Sequence, residues 1–166
     1  MKLVYIGKYT NTHGLKGEIK ILSNFEYKDE VFKVGNSIII NDKKYVIGSY
    51  RIHKGYDMVM LVGINNINDI ELLKGSNVYI DNDDYNFEYV YDDLIGFKIY
   101  DTDFRGEVIE ITKNKLYPLL KVKYNKNYLI PFTDIFISKV DIDKKIIYIN
   151  YMKGLYDENW YFNSFS

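Results

Sequence analysis

Asp81-Asn82-Asp83-Asp84-Tyr85-Asn86-Phe87-Glu88-Tyr89-Val90-Tyr91-Asp92-Asp93 divides the chain. The stretch holds 6 carboxylates and no lysine or arginine. Like charges crowded along a polar backbone repel one another and favour an extended connector, so it reads as a linker. The flanks differ in charge: residues 1–80 carry 11 basic and 8 acidic side chains, net +3, whereas residues 81–166 carry 11 and 15, net −4. This places a first domain at 1–80, an acidic linker at 81–88 and a second domain at 89–166.

Outward from that boundary, both flanks alternate apolar and polar residues with the period of half-buried strands. In the first domain the alternation covers residues 2–9, 18–22, 37–40, 44–50 and 58–62; in the second it covers 94–100, 107–112, 119–124, 128–131 and 145–150. Gly, Asn and Asp punctuate the runs, and Asp103-Phe104-Arg105-Gly106 and Tyr124-Asn125-Lys126-Asn127 have the chemistry of hairpin turns. One stretch differs. Asn68-Asp69-Ile70-Glu71 resembles a capping box and Gly75 suits a helix end, which predicts one short helix near residues 68–74. The fold class expected is all-β, two small barrels joined by the linker.

Composition agrees. The chain has 23 Ile, 18 Tyr and 9 Phe but no Ala, so residues that fit pleated surfaces are abundant and the best helix former is missing. A net charge of −1 excludes affinity built on neutralising many phosphates, so any RNA contact must be local. With 0 Cys there is no disulfide framework or thiol nucleophile. No run is apolar enough for a membrane span or signal sequence, and the expectation is a monomer in the cytoplasm. At the far end, Trp160 and Phe162 are expected to fold back over an apolar patch.

Two segments stand out as candidate sites. Thr12-His13-Gly14-Leu15-Lys16-Gly17-Glu18 joins the first two strands. Its glycines permit positive φ, and His13 and Lys16 project as polar groups. Gly14-Leu15-Lys16-Gly17 spells an RNA-clamping GXXG loop, but that loop joins helices and these flanks alternate like strands. His13 and His53 are the only histidines, and His53 lies in the basic turn Arg51-Ile52-His53-Lys54-Gly55. Nothing in the spacing fixes a metal site from these two and a carboxylate such as Asp57, and no Gly-x-Ser-x-Gly elbow occurs, so neither metal nor cofactor is expected.

The second segment is Tyr89-Val90-Tyr91-Asp92-Asp93-Leu94-Ile95-Gly96. Read as a strand, it sets Tyr89 and Tyr91 on one face as rigid aromatic contact area, with Asp92 and Asp93 beside them to attract a basic protein. Equally, Leu94 and Ile95 could open a core strand against which the tyrosines pack.

These two segments, with Gly7, Arg51-Ile52-His53, Leu73-Lys74-Gly75, Gly106-Glu107-Val108, Ile130-Pro131 and Gly154-Leu155 in the same order, resemble the RimM family of ribosome maturation factors. The resemblance implies an N-terminal barrel like those of translation factors and a C-terminal PRC-type barrel. It implies a non-enzymatic factor that binds the small ribosomal subunit precursor through ribosomal protein S19 and promotes maturation of its RNA. It also implies a partner-binding role for Tyr89, Tyr91, Asp92, Asp93 and Leu94. A ribosome- or RNA-proximal role follows for His13, Gly14, Leu15, Lys16, Gly17, Arg51 and His53. The family's aromatic pair falls on Tyr89 and Val90, so this chain keeps the first and carries its second tyrosine one position later, at Tyr91. The rival readings are a PRC-barrel adaptor for another complex and a small RNA-modifying enzyme using His13 and Lys16.

Overall fold

The computed structural model describes residues 1–64, 66–114 and 116–150. They fall in two compact units, Met1–Phe87 and one that begins at Glu88. The first contains β1 (Leu3–His13), β2 (Glu18–Leu22), α1 (Lys28–Val31), β3 (Ser37–Ile40), β4 (Lys43–His53), β5 (Tyr56–Leu61), α2 (Ile67–Glu71) and β6 (Asn77–Asp81). Its strands close into a barrel in the order β1-β2-β5-β4-β3-β6. β1 serves both β2 and β6, and its register slips near Gly7 against β6 and between Tyr9 and Asn11 against β2. Such bulges sharpen the bend that closure requires. A Cβ at Gly7 would press on the Leu22 carbonyl oxygen at 2.6 Å, so only glycine permits this approach of β1 to β2.

Alternation supplies the interior. Ile6, Ile19, Ile21, Ile38, Ile40, Ile47, Met58, Val59, Val78 and Ile80 are all sealed from solvent, each worth about 1.5–3 kcal/mol when fully buried. One carboxylate joins them. Asp57 is 0% exposed; it accepts from Tyr50 Oη at 2.6 Å and Lys28 Nζ at 3.0 Å. The pair tethers α1 to the barrel wall and satisfies a charge that could not be buried alone.

The second unit contains β7 (Lys98–Tyr100), β8 (Phe104–Thr112), β9 (Leu119–Lys123), β10 (Asn127–Pro131), β11 (Ile137–Asp141) and β12 (Ile146–Ile149). They form one sheet in the order β10-β9-β8-β7-β12-β11, antiparallel throughout except for β12 on β7. Leu94, Phe97, Ile99, Val108, Leu120, Val122, Ile130, Ile147 and Ile149 make its core.

The mostly-β expectation holds, with corrections. Residues 81–87 are not a solvated linker but part of the first unit. Asp81 ends β6, and residues 82–84 make a 3₁₀ turn. Asn82 is buried; its Nδ2 donates to the Phe87 carbonyl at 3.0 Å while its Oδ1 accepts from the Phe87 amide at 3.1 Å. Phe87 in turn stacks on Tyr27 with centroids 4.2 Å apart and on Tyr85 at 5.4 Å. The carboxylates there meet cations of the same unit, Asp83 the N-terminal ammonium at 3.0 Å and Asp84 Lys44 Nζ at 2.8 Å. Self-repulsion is thereby cancelled.

The helix also moves. Asn66, whose Oδ1 accepts from the Asn68 amide at 2.9 Å, caps α2, so the helix begins at Ile67 and ends at Glu71. Asp103-Phe104-Arg105-Gly106 is not the turn itself: the chain reverses over Asp101–Asp103, and Phe104 already pairs with Tyr100 in β8. Gly106 instead sits at the register slip, at φ +113°, where a Cβ would overlap the Lys123 carbonyl. The expected packing of Trp160 and Phe162 lies outside the described residues.

Candidate functional site

At one end of the barrel, two hairpins lie side by side. The β1–β2 turn spans residues 14–17, with His13 opposite Glu18 at its base. The β4–β5 turn is Lys54-Gly55, both at positive φ, with His53 opposite Tyr56. Because β2 pairs with β5, the tips meet. The rings of His13 and His53 approach to 5.3 Å between centroids. Arg51 Nε and Nη2 donate to Glu18 Oε2 and Oε1 at 2.9 and 2.6 Å, a fork-to-carboxylate pair that locks one hairpin to the other. Lys20 Nζ sits 3.9 Å from the Tyr56 ring centre.

Gly17 is favoured by its φ of +74°, and a Cβ there would push aside Ile70 Cδ1 of α2, 2.8 Å away. Gly14, at φ +69°, faces open space. Leu15 is 98% and Ile52 63% exposed, apolar surface at the summit of a basic tip. The structure thus brings together all seven residues for which the family resemblance implies a ribosome- or RNA-proximal role. Their charges interact. Partial burial, then Arg51, His13, Lys54 and Lys20, hold the His53 imidazole below its ordinary range. Its bond from Arg51, and behind that the charges of Arg51 and both imidazoles, hold Glu18 below the usual carboxylate range against a smaller effect of burial. Lys20 and Tyr56 were missed because their approach depends on the β2–β5 register, which single-strand alternation does not reveal.

The acidic–aromatic segment takes another form than a strand. Tyr91–Leu94 is a 3₁₀ turn. It is closed by Asp93, whose Oδ2 accepts from the Val90 amide at 3.0 Å while its own amide donates to the Val90 carbonyl at 3.0 Å. Leu94 is corrected from the partner surface to the core, at 0% exposure. The alternating run that begins there is strand only from Lys98. Tyr89 and Tyr91 are half-buried against that core, Tyr91 edge-on to Phe132 at 5.4 Å. Burial, then Tyr91 and Glu88, push the Tyr89 hydroxyl up. Asp92 remains exposed, 3.8 Å from Lys113 Nζ. A cleft of about 270 Å³ opens beside Tyr89, with Glu88, Phe132, Asp134 and Lys139 in its walls. Phe132 is a contributor that the sequence did not single out, because it follows β10 and reaches the tyrosines only through the fold.

A second hollow, about 700 Å³, lies on the outer face of β7–β9 between Phe104, Ile109, Lys98, Lys123 and Tyr124. Among the described residues no three His, Asp or Glu side chains converge as a metal site would need. Asp57 points inward to Tyr50 and Lys28, so it does not join His13 and His53.

The fold and these surfaces define a two-unit β protein with a basic hairpin tip on one unit and an acidic–aromatic edge on the other. The sequence matches the RimM N-terminal domain over residues 4–85 and the RimM PRC barrel domain over residues 91–155. A protein named ribosome maturation factor RimM from Staphylococcus aureus (strain bovine RF122 / ET3-1) is 40% identical over 165 residues, covering 93% of this chain and 99% of that one. Its counterpart from strain MRSA252 is 39% identical with the same coverage. A crystal structure of a 16S ribosomal RNA processing protein RimM from Pseudomonas aeruginosa aligns with a TM-score of 0.44 at 17% identity, covering 91% of this chain and 98% of that one. The chain belongs to the RimM family of ribosome maturation factors.

Proposed function

We propose that this chain binds the precursor of the small ribosomal subunit in the cytoplasm and promotes its assembly and the processing of its RNA, without catalysis or cofactor. The observation that carries this reading is the relative named ribosome maturation factor, 40% identical across 93% of the chain. The second unit engages a basic ribosomal protein of the subunit head, of the S19 family, through Tyr89, Tyr91 and Asp92, with Asp93 holding the turn that presents them. Ribosomal proteins are generally basic, and exposed carboxylates around aromatic anchors speed their encounter. The first unit turns its hairpin tip, His13–Gly17 with Arg51 and His53, toward ribosomal RNA. Two units on one chain gain effective concentration from their tether, so each contact can be weak and releasable.

Sedimentation of a cell lysate tests the proposal. The protein is expected with free small subunits and absent from assembled ribosomes. Migration only with non-ribosomal proteins would favour the adaptor reading.

A further inference from the structure

We propose that the paired hairpin tip is a phosphate site for RNA at which binding takes up a proton, so that RNA is held more tightly as pH falls. This rests on the reading that the tip faces RNA, and adds to it the atoms that bind and the proton that moves.

Lys16, Lys20, Arg51 and Lys54 surround the two imidazoles, and the carboxylate of Glu18 at the base of the tip has both its oxygens held by Arg51. Asp57 on β5 is turned inward. Asp69 and Glu71 belong to α2, and Arg51, His13, Lys54 and Lys20 each disfavour a charge on His53. Lys16 and Lys54 make no ion pair among the described residues. The tip therefore carries uncompensated positive charge.

Its geometry selects the ligand. The arginine fork, which suits a planar carboxylate, is already filled by Glu18. What remains is lysine ammonium and imidazole N–H, point donors suited to phosphate oxygens. Leu15 and Ile52, exposed above them, offer apolar surface to sugars and bases, and this favours RNA over a free phosphate or an acidic protein.

The proton follows from the ring contact. With the His13 ring 5.3 Å away and Arg51, Lys54 and Lys20 around it, the His53 imidazole resists charging. A phosphate between the hairpins reverses the sign of the local field and draws a proton onto His53. By linkage, whatever raises proton affinity on binding is itself favoured by protons. Both histidines of the chain lie in this tip, so proton uptake between about pH 6 and pH 8 reports on it directly.

The test uses the full chain and a short oligouridylate, with affinity measured by fluorescence anisotropy at about pH 8 and pH 6 at one salt concentration. Calorimetry in two buffers of different ionisation enthalpy counts the protons. Affinity is expected to rise about 3–10-fold toward pH 6 with net proton uptake. His13→Asn with His53→Asn should weaken binding and abolish that rise, leaving the same affinity at both pH values. Lys16→Ala with Lys54→Ala should weaken binding at both pH values and flatten the salt slope by roughly 1.4, at about 0.7 per lost contact. Binding that depends on the lysines but not on pH overturns the proton linkage and leaves the RNA-facing reading intact. Absence of lysine-dependent binding at either pH overturns both.

Discussion

Arg51 on β4 and Glu18 on β2 are joined by two parallel hydrogen bonds, of 2.9 and 2.6 Å, across the intervening strand β5. The pair spans the closed sheet and fixes the lateral position of both hairpin tips. Lysine cannot reproduce the fork. Arg51→Lys should therefore leave global stability nearly unchanged yet shift the imidazole resonances of His13 and His53 and weaken small-subunit binding. Denaturant unfolding together with histidine NMR separates the two effects.

Asp57 gives the opposite expectation, large in stability and small at the surface. Asp57→Ala leaves Tyr50 and Lys28 without their shared acceptor inside the barrel. Lys28 can still reach water, which moderates the loss to about 2–3 kcal/mol. Asp57→Asn keeps an oxygen for Tyr50 Oη and should lose less. Urea unfolding followed by tyrosine fluorescence measures both, with Leu15→Ala as a surface control expected within about 0.5 kcal/mol of the parent.

Gly106 and Gly14 both have positive φ, but their surroundings differ. At Gly14 alanine meets nothing within 4 Å and pays only the left-handed penalty of about 1–2 kcal/mol. At Gly106 it would also collide with the Lys123 backbone, forcing β8 from β9. Gly106→Ala should cost at least about 2 kcal/mol more than Gly14→Ala, read by hydrogen exchange in the second unit.

Asp101 predicts an acid limb. Burial raises its pKa, but the amides of Thr102 and Asp103 and the charge of Arg105 outweigh this and hold it below the ordinary carboxylate value. A depressed carboxyl contributes stability that is present above the unfolded pKa, about 3.9, and is lost as pH falls through the folded one. The second unit should thus lose stability on acidification below about pH 4, and Asp101→Asn should flatten that slope. Thermal unfolding across the acid range is the measurement.

Asp92 isolates the proposed protein contact. It is exposed and 3.8 Å from its cation, so reversing it removes attraction without disturbing the core. Asp92→Lys should slow association with the small-subunit precursor several-fold at low salt and leave the melting temperature unchanged. Stopped-flow binding at two ionic strengths checks this; an unaltered rate would remove Asp92 from the interface.

How much of this was legible depends on the range of the interaction. Glu18–Leu22 is legible residue for residue because its faces alternate without interruption, and Ser37–Ile40 because three β-branched isoleucines in a row, all buried, follow a polar start. Asn77–Asp81 was missed although Val78 and Ile80 alternate inward, because it runs into the acidic stretch. Ile137–Asp141 was missed because Ser138 and Lys139 interrupt its pattern where the register slips. At the tip, the loop residues were readable from glycine spacing, whereas the meeting of His13 with His53 is a product of strand order. Asp81–Phe87 misled for a related reason. Carboxylates in sequence look repulsive until Met1 and Lys44 arrive from elsewhere in the fold.

The closed barrel leaves no ladder unpaired, but among the described residues of the second unit β10 and β11 each have one neighbour. Outer strands with free amides invite other chains to add on. β10 ends in Pro131, which has no amide to offer, and β11 exposes Ser138 and Lys139 where a longer apolar run would be adhesive. On the function proposed above, the chain works among incompletely assembled polypeptides and meets many loose strands. Blunted borders let it sample that company through side chains alone, without being zipped into it.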